Sequence, residues 1–148
     1  MPEPNGDVNN ILNLPISFSE EMNYNVDELK LIVDNNVPSL NVNQKIAYDI
    51  IMNAIYNNSK QRIFFIDGPG GTGKTFLYNT VLASVRANKD IALAVASSGI
   101  AALLLQNGRT AHSRFKIPLN LNEFSTCYIT KQSDIAKLII SAKLILWV

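Results

Sequence analysis

The chain has 148 residues, of which 47% are hydrophobic and 17% are charged. This length and balance indicate one globular domain with a real core, and they exclude a disordered chain. No apolar run reaches the roughly 20 residues that a membrane-spanning helix requires, and the acidic, polar N-terminus is unlike a secretory signal or a transit peptide. The single cysteine, Cys127, rules out an internal disulfide, so we expect an intracellular, reducing compartment.

The net charge of +1 conceals two parts of opposite charge. Residues 1–49 contain eight acidic and two basic residues, a net charge of −6, whereas residues 50–148 contain four acidic and eleven basic residues, a net charge of +7. The basic part predicts an anionic partner that extends beyond a bound nucleotide, with ordinary solvated surface charge as the alternative.

The first half of the chain contains a polar arm, a helix and a strand. Residues 1–39 are rich in Asn, Asp and Glu and show no sustained periodicity, so we predict an acidic lead-in that is mostly loop and partly disordered. Apolar residues at helical spacing predict a helix over residues 42–57, with Asn41 as N-cap and Gln44 at the capping-box position. A short apolar run predicts a buried strand over residues 63–66.

Strands and helices alternate through the rest of the chain. We predict helices over residues 74–87, 100–105 and 133–141, and buried strands over residues 91–96 and 144–147. This order is typical of an α/β fold in which crossover helices flank a parallel sheet.

The strongest chemical motif is a glycine-rich loop between the predicted strand 63–66 and the predicted helix 74–87. It reads Gly68-Pro69-Gly70-Gly71-Thr72-Gly73-Lys74-Thr75. This spacing is that of the phosphate-binding P-loop, or Walker A motif, in which backbone N–H groups and a helix N-terminus contact phosphate oxygens. All eight residues are therefore predicted to bind ATP. Lys74 is expected at the β- and γ-phosphates and Thr75 at Mg²⁺, which makes them the predicted catalytic residues.

Two further positions have both a structural and a functional interpretation. Gln44 either closes the capping box of its helix or presents its amide to the edge of adenine. Ser97, Ser98 and Gly99 follow the predicted strand 91–96, at the end where open α/β sheets hold their ligands. They either cap the next helix or contact a DNA phosphate.

Residues 109–116 combine cations, hydroxyl groups, an imidazole and an aromatic ring. This mixture suits single-stranded nucleic acid, because cations and hydroxyl groups bind phosphates and a ring stacks on a base. The predicted contacts are Arg109, His112, Arg114 and Phe115, although Phe115 is equally well interpreted as a core residue. His112 is the only histidine and has no second ligand at metal spacing, so we predict no zinc site.

With these motifs in place, the chain resembles the Pif family of superfamily-one DNA helicases, particularly the helicase-like proteins related to Helitron transposons. The matching stretches are residues 40–44, 64–75, 96–102 and 108–118, and the similarity continues weakly to residue 147. The resemblance implies a RecA-like P-loop NTPase fold, with residues 40–148 as an incomplete first motor domain. It also implies that Gln44 reads adenine and that Ser97 and Ser98 contact single-stranded DNA.

The resemblance implies an ATP-dependent DNA helicase that uses Mg²⁺, acts on single-stranded DNA and DNA junctions, and moves 5′ to 3′. It further implies roles in DNA repair, recombination and telomere maintenance, and hence a nuclear compartment, with mitochondria as the alternative. Family members continue the last strand as Trp-Asp-Glu, whereas this sequence reads Leu146-Trp147-Val148. The 148-residue chain is therefore expected to end before the Walker B carboxylates and to be inactive alone.

Two other interpretations stay open. A non-motor P-loop protein, such as a small nucleotide or metabolite kinase, would share the phosphate-binding loop, but the sequence shows no convincing lid. A degenerate transposon remnant would bind its ligands without acting as a motor.

Overall fold

A three-stranded parallel sheet lies between two layers of helices. The computed structural model describes residues 16–148, without the side chains of residues 16 and 17, and this range contains seven α-helices and three strands. In chain order they are α1 Ile16–Met22, α2 Val26–Asn36, α3 Val42–Tyr56, α4 Lys74–Ala87, β1 Ile91–Ala96, α5 Gly99–Leu103, β2 Arg109–Thr110, α6 Ala111–Phe115, α7 Asp134–Ser141 and β3 Ala142–Trp147. None of the helices in this range has both the length and the hydropathy that crossing a bilayer demands.

The central strand β1 is buried along its whole length because helices cover both faces of the sheet. The strand order is β2-β1-β3, and both pairs are parallel. On one face, Ala92 and Ala94 pack against Leu82 and Val85 of α4. On the other face, the cluster comprises Ile91 and Leu93 of β1, Leu138 and Ile139 of α7, and Phe18 of α1. The predicted α/β fold with a flanked parallel sheet is therefore confirmed, and the architecture is consistent with part of a RecA-like P-loop fold.

The helices predicted between residue 42 and residue 141 are confirmed. They could be predicted because local sequence signals determine their ends. The predicted helix 42–57 is α3, the helix 74–87 is α4, the helix 100–105 is α5 and the helix 133–141 is α7. An Asn, Ser or Thr side chain accepts a hydrogen bond from the first turn of each of four helices: Asn41 at α3, Ser98 at α5, Thr110 at α6 and Ser133 at α7. Such caps satisfy N–H groups that have no partner within the helix.

The prediction of a mostly irregular arm is wrong for residues 16–36, which form α1 and α2. The side chain of Asn25 caps α2 by accepting hydrogen bonds from the N–H groups of Asp27 and Glu28. Leu29 of α2 is buried against Ala83 and Ala87 of α4. Burial on a distant helix therefore stabilises a segment whose own composition is polar. Residues 1–15 of the predicted lead-in lie outside the described residues, and the proposed division at residue 40 stays a prediction.

The prediction of a paired strand over residues 63–66 is also wrong. This segment has no strand structure, and Ile63 and Phe65 are 89% and 91% exposed. A cavity of about 730 Å³ is lined by residues 62–66 and by residues 140–147, which include β3. A strand requires a hydrogen-bonded neighbour as well as apolar side chains, and β3 pairs only with β1 in the described part of the chain. The third strand is instead β2, which is two residues long.

Candidate nucleotide and nucleic-acid site

The P-loop and Ser97 lie at the same edge of the sheet. Only residues 88–90 connect α4 to β1, so the helix and the strand run in opposite directions. The N-terminus of α4, where the P-loop ends, is therefore at the carboxyl end of β1. Ser97 follows β1 directly. This is the edge at which open α/β sheets bind ligands.

The P-loop is folded around the side chain of its own lysine. Gly71 and Gly73 both have φ of 78°, a left-handed conformation that glycine adopts without strain. The Thr72 hydroxyl donates to the carbonyl oxygen of Pro69 at 2.8 Å. The Lys74 ammonium donates to the same oxygen at 3.0 Å and also to the carbonyl oxygen of Gly68. The cation thus lies against the inner carbonyl groups of the loop.

The backbone at the end of this loop has the features of an anion site. In the described part of the chain, the N–H groups of residues 73–75 form no hydrogen bond with another backbone group, and they lie at the N-terminus of a 14-residue helix. Such groups bind anions, because the unpaired N–H dipoles and the helix dipole both favour negative charge. Thr75 is exposed in the first turn of α4, so its hydroxyl is accessible to an ion. The residues that would hold Mg²⁺·ATP are those predicted from the sequence, Gly68 to Thr75.

Gln44 joins the N-terminus of α3 to the P-loop. The capping box is present, because Gln44 N–H donates to Asn41 Oδ1 and Asn41 N–H donates to Gln44 Oε1, both at 2.9 Å. The amide nitrogen Nε2 then donates to the carbonyl oxygens of Gly73 at 3.1 Å and Thr72 at 3.3 Å. Both ends of the amide are thus engaged by protein. The capping interpretation is confirmed, whereas contact between Gln44 and adenine stays a prediction.

The two serines after β1 have different surroundings. The Ser98 hydroxyl accepts a hydrogen bond from Ala101 N–H at 3.2 Å, which confirms that it caps α5. The exposed Ser97 hydroxyl accepts a hydrogen bond from the indole nitrogen of Trp147 at 3.4 Å. Gly99 is exposed at the start of α5. Contacts from these three residues to DNA stay predictions, and Ser97 is the one whose hydroxyl is not used as a cap.

The structure separates the two arginines that were predicted to contact DNA. Arg109 is at the surface, with its side chain 45% exposed, and forms an ion pair with Glu20 of α1. Arg114 is buried, because Glu21 of α1 pairs with its guanidinium inside the domain. His112 is exposed on α6. A DNA contact from Arg114 stays a prediction, but in this conformation its guanidinium is not accessible.

A second buried guanidinium completes the charged cluster beneath α1. Arg86 of α4 donates to the carbonyl oxygens of Gln106 at 2.8 Å and Ala92 at 2.9 Å. Its guanidinium lies 4.8 Å from the centre of the Tyr24 ring and 4.0 Å from the carboxylate of Glu21. Burial lowers the pKa of Arg86, and the nearby Tyr24 and Glu21 partly offset that effect. The sequence pattern did not reveal this cluster, because its acidic member lies in the arm that was predicted as loop.

Phe115 contacts an aromatic residue that was not among the predicted site residues. Its ring stacks on Trp147 with 5.6 Å between the centroids and an interplanar angle of 30°. Trp147 ends β3 and is 56% exposed. A tryptophan in an apolar strand is ordinarily read as core, so only its exposure in the fold identifies it as a surface group.

Comparison with known proteins assigns a family. The family model described as PIF1-like helicase matches residues 39–148, which is most of the chain. The matched range includes α3, the P-loop and all three described strands, and it leaves α1 and α2 outside. No curated protein matches the chain.

Proposed function

The chain belongs to the PIF1-like helicase family. From that premise we propose that it binds ATP with Mg²⁺ through residues 68–75 and acts in an ATP-dependent DNA helicase. Membership implies ATP-dependent helicase activity at the level of the family, with nucleotide and DNA as ligands. The observation that carries the proposal for this chain is the P-loop itself. Its lysine lies against the carbonyl groups of the loop, and the loop leads directly into the N-terminus of α4, whose first N–H groups have no backbone partner.

The residues of the loop have distinct roles in the proposal. The N–H groups of residues 70–75 bind phosphate oxygens, and the Lys74 ammonium transfers from the loop carbonyls to the more negative phosphates. The Thr75 hydroxyl contacts Mg²⁺. When bound, Mg²⁺·ATP supplies the phosphoryl group whose hydrolysis drives movement. The chain's own contribution is to position the phosphates and to stabilise their charge.

The proposed DNA surface lies at the carboxyl edge of the sheet. Ser97, Arg109 and His112 are all exposed there or on the element that follows β2, so they are accessible to a phosphate backbone. Phe115 adds a ring at the same edge. Arg109 forms a surface ion pair with Glu20. A phosphate can displace Glu20 from Arg109, because solvent screens the pair.

We extend the proposal, on family resemblance, to 5′-to-3′ movement and to roles in DNA repair, recombination and telomere maintenance. The Helitron-related branch of the family is proposed on the stretches 96–102 and 108–118. A nuclear compartment follows from those roles.

Binding of a fluorescent ATP analogue in the presence of Mg²⁺ tests the proposal. Lys74→Ala should weaken the affinity at least about tenfold, because a charge-assisted contact to phosphate contributes about 1.5–3 kcal/mol. Lys137→Ala is the matched control, since Lys137 is exposed on α7. Equal binding by the Lys74 variant, or no saturable binding by the unmodified chain, would contradict the proposal.

A further inference from the structure

An exposed tryptophan stacks on a half-buried phenylalanine at the carboxyl end of the sheet. Trp147 and Phe115 stack with 5.6 Å between their ring centroids, and Trp147 remains 56% exposed. Phe115 is half-buried, so the exposed part of the pair is the Trp147 indole. A pair of flat rings at a ligand-binding edge therefore needs an explanation beyond the packing of the core.

The topology brings the two rings together from opposite sides of β1. Trp147 is the last residue of β3 and pairs in register with Val95 of β1. Phe115 is the last residue of α6, which follows β2 on the other side of β1. Their rings consequently meet across the end of the central strand. Three strands and one helix fix this position, so the pair does not depend on a loop.

Polar contacts hold the indole in place. The Trp147 indole nitrogen donates to the Ser97 hydroxyl at 3.4 Å. The backbone continues the ladder beyond the strand, because Ser97 N–H donates to Val148 O at 2.9 Å and Val148 N–H donates to Val95 O at 2.9 Å. The indole is thus oriented from two directions, by stacking and by hydrogen bonding. A ring held in this way loses little conformational freedom when a ligand contacts it.

The surroundings favour a nucleobase as that ligand. Along β3, Leu144 and Leu146 point inward, whereas Lys143, Ile145 and Trp147 are exposed. Lys116, which follows Phe115 in the chain, is also exposed. A flat apolar face beside the Ser97 hydroxyl matches a base, and residues 50–148 as a whole carry a net charge of +7, which favours a polyanion.

We propose that Trp147, stacked on Phe115, is a platform on which a base of single-stranded DNA stacks. The proposal rests on the proposed helicase function and adds to it a residue and a mode of contact. Stacking on one side chain is sequence-tolerant, because every base has a flat face. Loss of the indole should reduce affinity for single-stranded DNA roughly 5- to 150-fold, the range that alanine substitution of stacking residues produces.

The chain contains one tryptophan and five tyrosines, so fluorescence excited at a wavelength that tyrosine does not absorb reports on Trp147 alone. The experiment titrates an oligothymidylate into the 148-residue chain and follows tryptophan fluorescence together with the anisotropy of a labelled oligothymidylate. Quenching that saturates with the anisotropy supports the proposal. Trp147→Ala should weaken binding, Trp147→Phe should restore most of it, and Phe124→Ala, at a ring that is 84% exposed elsewhere, should have no effect.

Three results would overturn the proposal, and they differ in whether the proposed DNA-binding function survives. DNA binding without quenching, or equal affinity of folded Trp147→Ala and the unmodified chain, would exclude stacking on Trp147 and leave the proposed DNA-binding function standing. The absence of any anisotropy change would exclude both. Far-UV circular dichroism of each variant separates loss of the platform from loss of the fold.

Discussion

Glu21 of α1 and Arg114 of α6 form an ion pair across 93 positions of sequence, and their side chains are only 3% and 4% exposed. The pair connects the N-terminal arm to the segment that follows β2. Since Arg86 lies 4.0 Å from the same carboxylate, one buried acid faces two buried guanidinium groups. The described helix α1 is therefore part of the folded domain, although the family match begins after it.

Replacement of Glu21 by Gln should destabilise the fold strongly. The substitution leaves two buried cations without a counter-charge, so we expect the free energy of unfolding to fall by about 3–5 kcal/mol. Urea unfolding followed by circular dichroism measures the change. Glu20→Gln is the control, because its partner Arg109 is at the surface and the expected loss is about 0–1 kcal/mol. Similar losses for both variants would contradict a special role for the buried pair.

Gly73→Ala should disturb the P-loop, whereas Gly70→Ala should not. Gly73 has φ of 78°, and an added Cβ would lie 2.4 Å from Gln44 Nε2. The left-handed conformation alone costs about 1–2 kcal/mol for a residue with a Cβ, so stability should fall by at least that amount. At Gly70 an added Cβ meets nothing within 4 Å, and φ is not positive. Thermal or urea unfolding compares the stabilities of the two variants. Equal stability would argue against a strained backbone at residue 73.

Gln44→Ala should weaken the binding of ATP and the binding of GTP by similar factors. The amide holds α3 and the P-loop together through protein groups, so its loss disturbs the site for either nucleotide. The substitution also removes the hydrogen bond that Gln44 Oε1 accepts from Asn41 N–H, so the free energy of unfolding should fall by about 0.5–1.5 kcal/mol. Competition binding with the two nucleotides gives the ratio of the ATP and GTP affinities for each variant. Asn43→Ala, at an exposed residue, is the control. A loss confined to ATP would instead favour contact between Gln44 and adenine.

Stability should decline above pH 10 through Tyr56. Its hydroxyl donates to Asp90 Oδ2 at 2.8 Å, and burial, assisted by Asp90, raises the pKa of Tyr56 to about 12. The folded state therefore favours the protonated phenol. Its contribution is complete below the unfolded pKa of about 10 and is lost as the pH rises towards 12.

Urea unfolding between pH 8 and pH 11.5 checks this expectation. The stability difference between the unmodified chain and Tyr56→Phe should narrow as the pH rises. Tyr128→Phe, which removes a hydroxyl from a side chain that is 78% exposed, serves as the control. A difference that is constant across the range would show that the hydroxyl does not titrate as expected.

Features encoded by neighbouring residues could be predicted from the sequence. The bounds of α4 follow from the P-loop motif and from apolar residues at helical spacing. The capping box depends on four consecutive residues, from Asn41 to Gln44. The strand 91–96 is an uninterrupted apolar run because both of its faces are buried. These elements needed no knowledge of distant contacts.

Features that depend on distant partners could not be predicted. Leu29 is buried only because α4 presents Ala83 more than fifty residues later, so α2 looks polar and irregular in isolation. Phe65 has the composition of a strand residue but no strand beside it. Arg114 has the chemistry of a DNA contact, and only the position of Glu21 shows that it is buried. Each of these outcomes was decided by tertiary structure rather than by local pattern.

The contact between Gln44 and the P-loop also has an entropic consequence. The connection from α3 to α4 has no sheet partner in the described structure, and it is held by its two ends and by Ile66, which packs against the core. Gln44 bridges those ends by contacting carbonyl groups 28 and 29 residues further along the chain. A loop closed in advance loses less conformational entropy when it binds a ligand. We therefore expect Gln44 to raise nucleotide affinity by preorganisation, even at phosphates that its own side chain never touches.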